Sequence, residues 1–228
     1  MDASFKSTRE NSKKSPRRRI GRPQATGDTV GREALIAATK ELLKRVPPAK
    51  ITRRKVAQFA GVTPALVRYY FGNTDELLRA TTIILSQEQR AKSRARVAEA
   101  TAAKEKLLAR ITVLTETLIS NPYFNQLVIE QIIHGEGNVA KRALEQMNKD
   151  SLSELKGVLD EGVSRKELRQ VEVKFFYFAL IGMIEFFASN RPMRESVFGR
   201  RKINRTLVQE YIAFVYDLIL NGIAAAKV

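Results

Sequence analysis

Apolar residues recur every three or four positions along most of the chain after about residue 28, a pattern typical of amphipathic helices. A stripe beginning at Leu35 predicts a helix over about 29–46, ended by Pro47-Pro48 because proline cannot continue the hydrogen-bond ladder. No strand pair and no repeat is evident. Further helical periods cover about 103–120, 123–134, 138–162, 171–189 and 203–224. The sequence therefore predicts an all-α protein.

Two short helices are predicted within residues 51–77, over about 53–60 and 63–70. Thr52 suits the N-cap of the first, Gly61 supplies the turn, and Ala57 is small enough for two helices to touch there. This order is typical of a helix-turn-helix, which presents its second helix to the major groove of DNA. The segment therefore indicates function as well as fold.

The second short helix has an inner and an outer face. Val67 and Phe71, four residues apart, are expected to be buried, and Arg68 then points outward as the candidate base reader. Tyr69 suits a thymine methyl or a sugar, and Tyr70 suits a phosphate. The predicted DNA contacts within the helix-turn-helix are Thr52, Arg53, Arg54, Thr63, Pro64, Ala65, Arg68, Tyr69 and Tyr70. A helical hairpin with surface Arg and Tyr is the structural alternative.

A long fourth helix is predicted to start at Asn73-Thr74-Asp75, with Thr74 as its N-cap, and to continue into the mid-nineties. Its second half carries four cations, which predict a helix that is polar nearly all round and solvated: Arg90, Lys92, Arg94 and Arg96. We expect this helix to connect the DNA-binding part to the rest of the chain.

Positive charge is concentrated in the first hundred residues. The formal net charge is +16, and residues 1–100 supply +13 of it. Basic charge near a helix-turn-helix is what phosphate binding requires. Residues 1–27 are predicted to form a flexible basic arm, and their segment RRRIGRP resembles an AT-hook. Arg22 within it can enter a narrow minor groove or contact phosphates without sequence preference, or the arm can be plainly disordered.

Composition makes several other classes of protein improbable. The chain has no Cys and one His, which argues against disulfides, metal sites and imidazole-based catalysis. An enzyme using Glu130 and His134 as general acid and base is the weakest hypothesis, because no nucleophile motif or phosphate loop accompanies them. No uninterrupted apolar run is long enough to cross a bilayer. We expect a cytoplasmic protein that needs no cofactor or metal and has no membrane partner.

The stretch VAQFAGVTPALVRYYFGNTDELL, residues 56–78, resembles the DNA-binding domain of TetR-type (tetracycline-repressor-like) transcriptional regulators. The resemblance covers roughly residues 30–80 and includes the Tyr70-Phe71 pair and the acidic start of the fourth helix. Three positions depart from the family pattern: Pro64 replaces a polar or basic reader, Arg68 an aromatic residue, and Thr74 a phosphate-contacting lysine. These departures indicate a different operator sequence.

The resemblance implies an N-terminal helix-turn-helix domain over 28–75 and a helical regulatory and dimerisation domain over 76–228. Members of the family pair through their last two long helices and hold a small-molecule pocket. Candidates for the homodimer interface are Phe186, Phe187, Leu207, Tyr211, Phe214, Val215 and Leu218. Candidates for the pocket are Tyr123, Phe124, Leu127, Glu130, His134, Phe175, Tyr177, Phe178 and Met183, with Glu185 a further pointer if buried. Aromatic and Met residues at helical spacing more often fill a core than line a pocket.

The main functional hypothesis is a sequence-specific regulator, a homodimer on a palindromic operator in double-stranded DNA. It is expected to act as a repressor that an unknown small-molecule effector releases. The alternative is an architectural DNA-binding protein without a ligand, which would use the basic arm to bend or compact DNA. The two differ in their sensitivity to operator mismatch.

Overall fold

In the computed structural model, residues 28–199 and 203–223 are described, and this part of the chain contains ten α-helices and no strand. The helices are α1 Asp28–Leu43, α2 Arg53–Ala60, α3 Pro64–Phe71, α4 Thr74–Glu99, α5 Ala103–Ser120, α6 Phe124–Val128, α7 Gly137–Ser164, α8 Val173–Ser189, α9 Arg191–Val197 and α10 Arg205–Ile223. A 3-10 turn, Pro48–Lys50, follows α1, and a π-helical turn, Ile129–Ile133, follows α6. The all-α prediction is confirmed.

The first apolar core lies among α1, α2, α3 and the start of α4. Leu35, Val56, Val67 and Leu77 are fully buried within it. Leu127 of α6 joins the same cluster, although it lies about fifty residues beyond Leu78, the last of the other members along the chain. The DNA-binding part therefore includes one side chain from the regulatory part.

The second apolar core surrounds α5. Leu107 and Ile111 of α5 meet Leu155 of α7, Ile184 of α8 and Val215 of α10 in one cluster of fully buried side chains. The sequence of α5 suits a central position, since apolar residues occur on more than one side of the helix and are buried there. This core is the body of the regulatory part.

Helix α4 belongs to both cores. Leu77 and Leu78 lie in the first, and Leu85 lies in the second. Its predicted N-cap was wrong: the side chain of Asn73 accepts the hydrogen bond from the Glu76 N–H at 2.8 Å, and Thr74 is the first helical residue. The predicted domain boundary at residue 75 thus falls where one continuous helix begins, and it stays a prediction.

The second half of α4 is not solvated on every side. The Arg90 side chain is mostly buried, and its Nη1 lies 2.9 Å from Oδ2 of Asp150 on α7. Ser86 and Ser93, one turn before and after it on the same face, are buried as well. The sequence prediction was wrong for this face, because these polar residues face other polar groups inside the protein, whereas the other three cations of the segment are exposed as predicted.

Helix α9 was not predicted, and it completes the edge formed by α8 and α10. Asn190 caps it by accepting a hydrogen bond from the Met193 N–H at 3.3 Å. Arg194 is buried and donates to the carbonyls of Phe187 and Ala188, which fixes α9 against the end of α8. No single helix of the described residues is long and apolar enough to cross a membrane; α8 and α9 reach that length and apolar composition only when they are counted together, across a bend of 80°.

Candidate nucleic-acid interface and internal cavity

The turn between α2 and α3 has the geometry that its sequence predicts. The Thr52 hydroxyl accepts a hydrogen bond from the Lys55 N–H at 3.2 Å, which confirms Thr52 as the N-cap of α2. Gly61 has φ +69°, a left-handed conformation that glycine adopts without steric cost. The Val62 N–H then returns to the Ala57 carbonyl at 2.9 Å. The turn therefore sets α3 at a fixed orientation to α2.

Helix α3 buries one face and presents the other. Val67 and Phe71 are buried, as predicted. The opposite face, together with the N-cap Thr63, consists of side chains that are all exposed: Thr63, Pro64, Ala65, Arg68 and Tyr69. Within the described residues, Arg68 makes no ion pair, so its guanidinium is available to an external acceptor.

The start of α2 lies on the same helix-turn-helix and is also cationic. Arg53 and Arg54 are exposed and have no ion pair with any residue that the structure describes. The first N–H groups of a helix have no intrahelical partner, so they can donate to a phosphate next to these guanidinium groups.

Tyr70 is packed more tightly than Tyr69. It is half-buried, and its hydroxyl lies so close to Gly31 of α1 that a Cβ there would be only 2.7 Å away. Its ring meets that of Tyr69 edge-on, with centroids 5.1 Å apart. The predicted phosphate contact of Tyr70 stays a prediction, and Arg22 and the basic arm lie outside the described residues.

A partly enclosed cavity of about 120 Å³ lies in the regulatory part, bounded by α4, α5, α6, α7 and α8. Its apolar wall includes Phe124, Leu155 and Leu180. Its polar wall consists of Ser86, Gln89, Arg90, Ser93, Arg110, Ser151, Glu154, Tyr177 and Glu185. A concave site with a few convergent polar groups is the usual form of a small-molecule site.

Burial changes the acid–base properties of several of these groups. Burial raises the pKa of the Glu185 carboxyl and that of the Tyr177 hydroxyl, because the charged form of each is poorly solvated there. It lowers the pKa of the Arg110 guanidinium, an effect opposed by Glu154, whose Oε2 lies 3.2 Å from Nη2. Because these groups are poorly solvated, each of them interacts more strongly with a charge in the cavity than it would in water.

Only part of the predicted pocket set lines this cavity, namely Phe124, Tyr177 and Glu185. Leu127 belongs to the first core, and Tyr123 is half-buried outside the cavity wall. Phe175 and Met183 line an open groove between α8 and α10 instead. Glu130, His134 and Phe178 are exposed, so the first two do not form the buried acid–base pair that an enzyme would need.

The polar wall contributed by α4 was missed from the sequence. Ser86, Arg90 and Ser93 lie at positions i, i+4 and i+7, which places them on one helical face. That spacing was visible in the sequence, but a stripe of polar residues was taken for a solvent-facing surface.

A second surface, the α8–α10 face, is apolar and uncovered. It contains large apolar side chains that are 50% to 77% exposed: Phe175, Phe178, Phe186, Phe214 and Leu218. Along α8 the exposed small residues Ala179 and Gly182 continue the same stripe, and a Cβ on Gly182 would meet no atom within 4 Å. Met193, Val197 and Phe198 extend it along and beyond α9.

The predicted dimer set divides between this face and the chain's own interior. Phe186, Phe214 and Leu218 are on the α8–α10 face. Leu207 and Val215 are buried in their own chain, and we assign them to its packing rather than to a partner. Phe187 is also buried, stacked on Tyr211 with ring centroids 3.7 Å apart, and the Tyr211 hydroxyl donates to the Met183 carbonyl at 2.6 Å.

Two family models match the chain, one for each part. Residues 35–81 match the family described as "Bacterial regulatory proteins, tetR family". Residues 100–228, more than half of the chain, match "Tetracyclin repressor-like, C-terminal domain". The first match covers the helix-turn-helix, and the second covers the cavity and the α8–α10 face.

Individual proteins show the same similarity. The chain is 32% identical over 91 residues to the HTH-type transcriptional regulator BetI of Rhizobium meliloti, a match to 40% of this chain and 45% of BetI, about half that relative's length. The solved ketosteroid transcriptional regulator KstR2 of Mycobacterium tuberculosis has a TM-score of 0.65 at 15% identity, over 86% of this chain and 95% of KstR2. FadR of Bacillus subtilis in complex with stearoyl-CoA gives 0.65 at 19% identity, over 83% and 98%. Both solved structures therefore have the same fold as this chain.

Proposed function

The chain belongs to the TetR family of DNA-binding transcriptional regulators, which are not enzymes, and from that membership we propose that it is a repressor released from its operator by a small-molecule effector. The observation that carries the DNA-binding part of the proposal is the outer face of the helix-turn-helix. Its Arg68, Arg53 and Arg54 are all exposed and free of ion pairs to described residues. Arg68 is proposed to read a base, and the start of α2 to bind phosphate.

Replacing Arg68 by alanine is expected to lower the affinity for the operator by about 1–3 kcal/mol and to relax specificity at one base pair. A guanidinium can make two hydrogen bonds to the edge of guanine, and alanine can make none. Fluorescence anisotropy on the preferred site and on its single-base variants measures both effects at one salt concentration.

Arg96→Ala is the matched control. Arg96 is exposed on α4, about 33 Å along that helix from its N-terminal end, and it makes no ion pair to a described residue. Its removal is expected to leave base preference unchanged. If Arg68→Ala weakens binding equally on every sequence, Arg68 contacts phosphate and the proposed reading is incorrect.

The functional unit is proposed to be a homodimer paired through the α8–α10 face. Apolar patches of this kind on a soluble domain usually mark an interaction site. A twofold pair would bury the exposed Phe178 and Phe214 of both copies, and the small Ala179 and Gly182 would let two α8 helices approach closely. The same symmetry would place two recognition helices on the half-sites of a palindrome.

Helix α6 is proposed to couple the cavity to the DNA-binding part. Phe124 lines the cavity, and Leu127, three residues later, is fully buried in the first core. The π-helical turn after α6 is held to α4, since the Gln131 carbonyl accepts from Nε of Arg79 at 3.4 Å. A displacement of α6 by a ligand would therefore be transmitted to the helices that contact DNA.

Release is proposed to follow from a shift in population. An effector that prefers the displaced position of α6 would stabilise a conformation whose two recognition helices no longer match the half-site spacing. FadR of Bacillus subtilis, whose structure contains stearoyl-CoA, shows that a protein of this fold can hold a small molecule.

A further inference from the structure

The cavity among α4, α5, α6, α7 and α8 is small enough to restrict its ligand by size. At about 120 Å³ it is somewhat smaller than an engineered 150 Å³ cavity known to bind benzene. A compact ring of about six non-hydrogen atoms is therefore the scale of group that the cavity holds without large rearrangement.

Each guanidinium group of the cavity wall lies within ion-pair distance of a carboxylate, although the buried Nη1 of Arg90 makes no hydrogen bond within the described residues. Arg90 lies 2.9 Å from Asp150, and Arg110 lies 3.2 Å from Glu154. Arg94, at 3.8 Å, is a second cation beside Glu154. An anionic ligand would have to compete with these carboxylates for Arg90 and Arg110.

Of the two acidic residues in the cavity wall, Glu154 and Glu185, only Glu185 forms no ion pair within the described residues. It lines the cavity from α8 and is half-buried, yet it forms no ion pair with any residue in the described part of the chain. Its neighbour is the neutral side chain of Asn125, whose amide nitrogen, in the orientation that satisfies both groups, lies 3.2 and 3.3 Å from the carboxylate oxygens. A desolvated carboxylate without a counter-charge is costly, and a cation that enters the cavity recovers that cost.

We propose that the cavity binds a small organic cation, a protonated amine about the size of benzene, through an ion pair with Glu185. The ammonium N–H groups donate to the carboxylate, and the ring carbons lie against Phe124 and Leu180. Phe124 and Tyr177 also bring aromatic rings to the wall, which attract a cation more than a neutral ring. This inference rests on the proposed function, because it names the chemical class of the effector at the same site.

Isothermal titration of the full-length protein with three rings of similar size tests the ligand class. The probes are piperidinium, neutral tetrahydropyran and cyclobutanecarboxylate. Piperidinium is expected to bind about 10- to 100-fold more tightly than tetrahydropyran, the factor that a charge-assisted hydrogen bond provides. Equal binding of the two, a preference for the carboxylate, or no binding of any probe would overturn the proposal.

Two variants locate the effect. Glu185→Gln keeps the shape of the side chain and is expected to bring piperidinium binding down to that of tetrahydropyran. Glu130→Gln changes an exposed carboxylate outside the cavity and is expected to bind as the wild type does. Wild-type binding by Glu185→Gln would overturn the assignment, and the wild-type comparison of the three probes stands even if a variant folds poorly.

The proposed ligand class and the proposed release of DNA can be tested independently. A gel-shift assay of the protein–operator complex with saturating piperidinium measures release alone. Binding that depends on Glu185 but leaves DNA bound supports the ligand class and contradicts the effector-release function. Release of DNA by piperidinium that persists in Glu185→Gln overturns the proposed site.

Discussion

Replacing Gly182 by arginine is expected to convert the proposed homodimer to a monomer and to reduce its affinity for a palindromic operator by about 10²–10⁴-fold. Gly182 lies in the middle of the exposed stripe of α8, between Phe178 and Phe186. An arginine there would separate the two α8 helices and bring a like charge from each copy together. Without pairing, each half-site is bound independently, and the gain from bivalency is lost.

The fold of the single chain should tolerate this change. A Cβ on Gly182 meets no atom within 4 Å, so the new side chain extends away from its own chain. Gly157→Arg is the matched control, because Gly157 is also exposed, on α7, and equally free of neighbours, but lies outside the apolar face. It is expected to stay a dimer.

Sedimentation equilibrium at micromolar concentration measures the association state of both variants. Phe178→Glu, at a side chain that is 74% exposed, offers a second disruption at the same face. A wild-type protein that sediments as a monomer, or Gly182→Arg and Phe178→Glu variants that remain dimers, would show that the α8–α10 face is not the pairing surface.

Replacing Leu127 by alanine is expected to lower the free energy of unfolding by about 2–5 kcal/mol, the usual range for a buried leucine. Leu127 is fully buried in the apolar cluster that α1, α2, α3 and α4 share, and its helix packs on α4, so the loss should be greatest in the DNA-binding part. Urea denaturation measures the total, and hydrogen exchange shows where it occurs. Amides of α1–α3 are expected to lose more protection than those of α10.

The neighbouring π-helical turn supplies the control for this variant. Ile133 is 48% exposed, and Ile133→Ala is expected to change stability by less than about 0.5 kcal/mol. If Leu127→Ala behaves like Ile133→Ala, or if exchange increases only within α6, the cavity and the DNA-binding part are not coupled through this side chain.

The helix-turn-helix was predictable because its signals are local. Thr52 caps α2, Gly61 takes the left-handed turn, and Val67 and Phe71 are buried four residues apart. The bounds of α2 agree with the prediction residue for residue. Each of these features depends on neighbours only a few positions away along the chain.

Features that depend on distant partners were not predictable in the same way. Periodicity shows that Leu127 is buried but not that it joins a core about fifty residues earlier in the sequence. The sequence likewise shows that Arg90 is charged, but not that Asp150 of α7 lies opposite it. Helix α9 was missed for a local reason: Asn190-Arg191-Pro192 was interpreted as a break, although Asn as N-cap and proline in the first turn also begin a helix.

The same limit affected the dimer prediction. Leu207, Phe214, Val215 and Leu218 all lie on α10 and all are apolar, so composition alone could not divide them. The structure places Leu207 and Val215 inside the chain and leaves Phe214 and Leu218 exposed. Both groups are apolar, and they differ only in the side of α10 on which they lie.

Sequence specificity is the property that separates a regulator from an architectural DNA-binding protein that would use the basic residues 1–27. The preferred site is first selected from random DNA with the full-length protein. Binding is then measured, at one salt concentration, to that palindrome, to a scrambled duplex of the same length, and to a duplex with five base pairs inserted between the half-sites. We expect two protomers on the palindrome, affinity at least about 10³-fold lower on the scrambled duplex, and a large loss on the insertion. Similar affinity for all three duplexes would contradict a sequence-specific dimeric regulator.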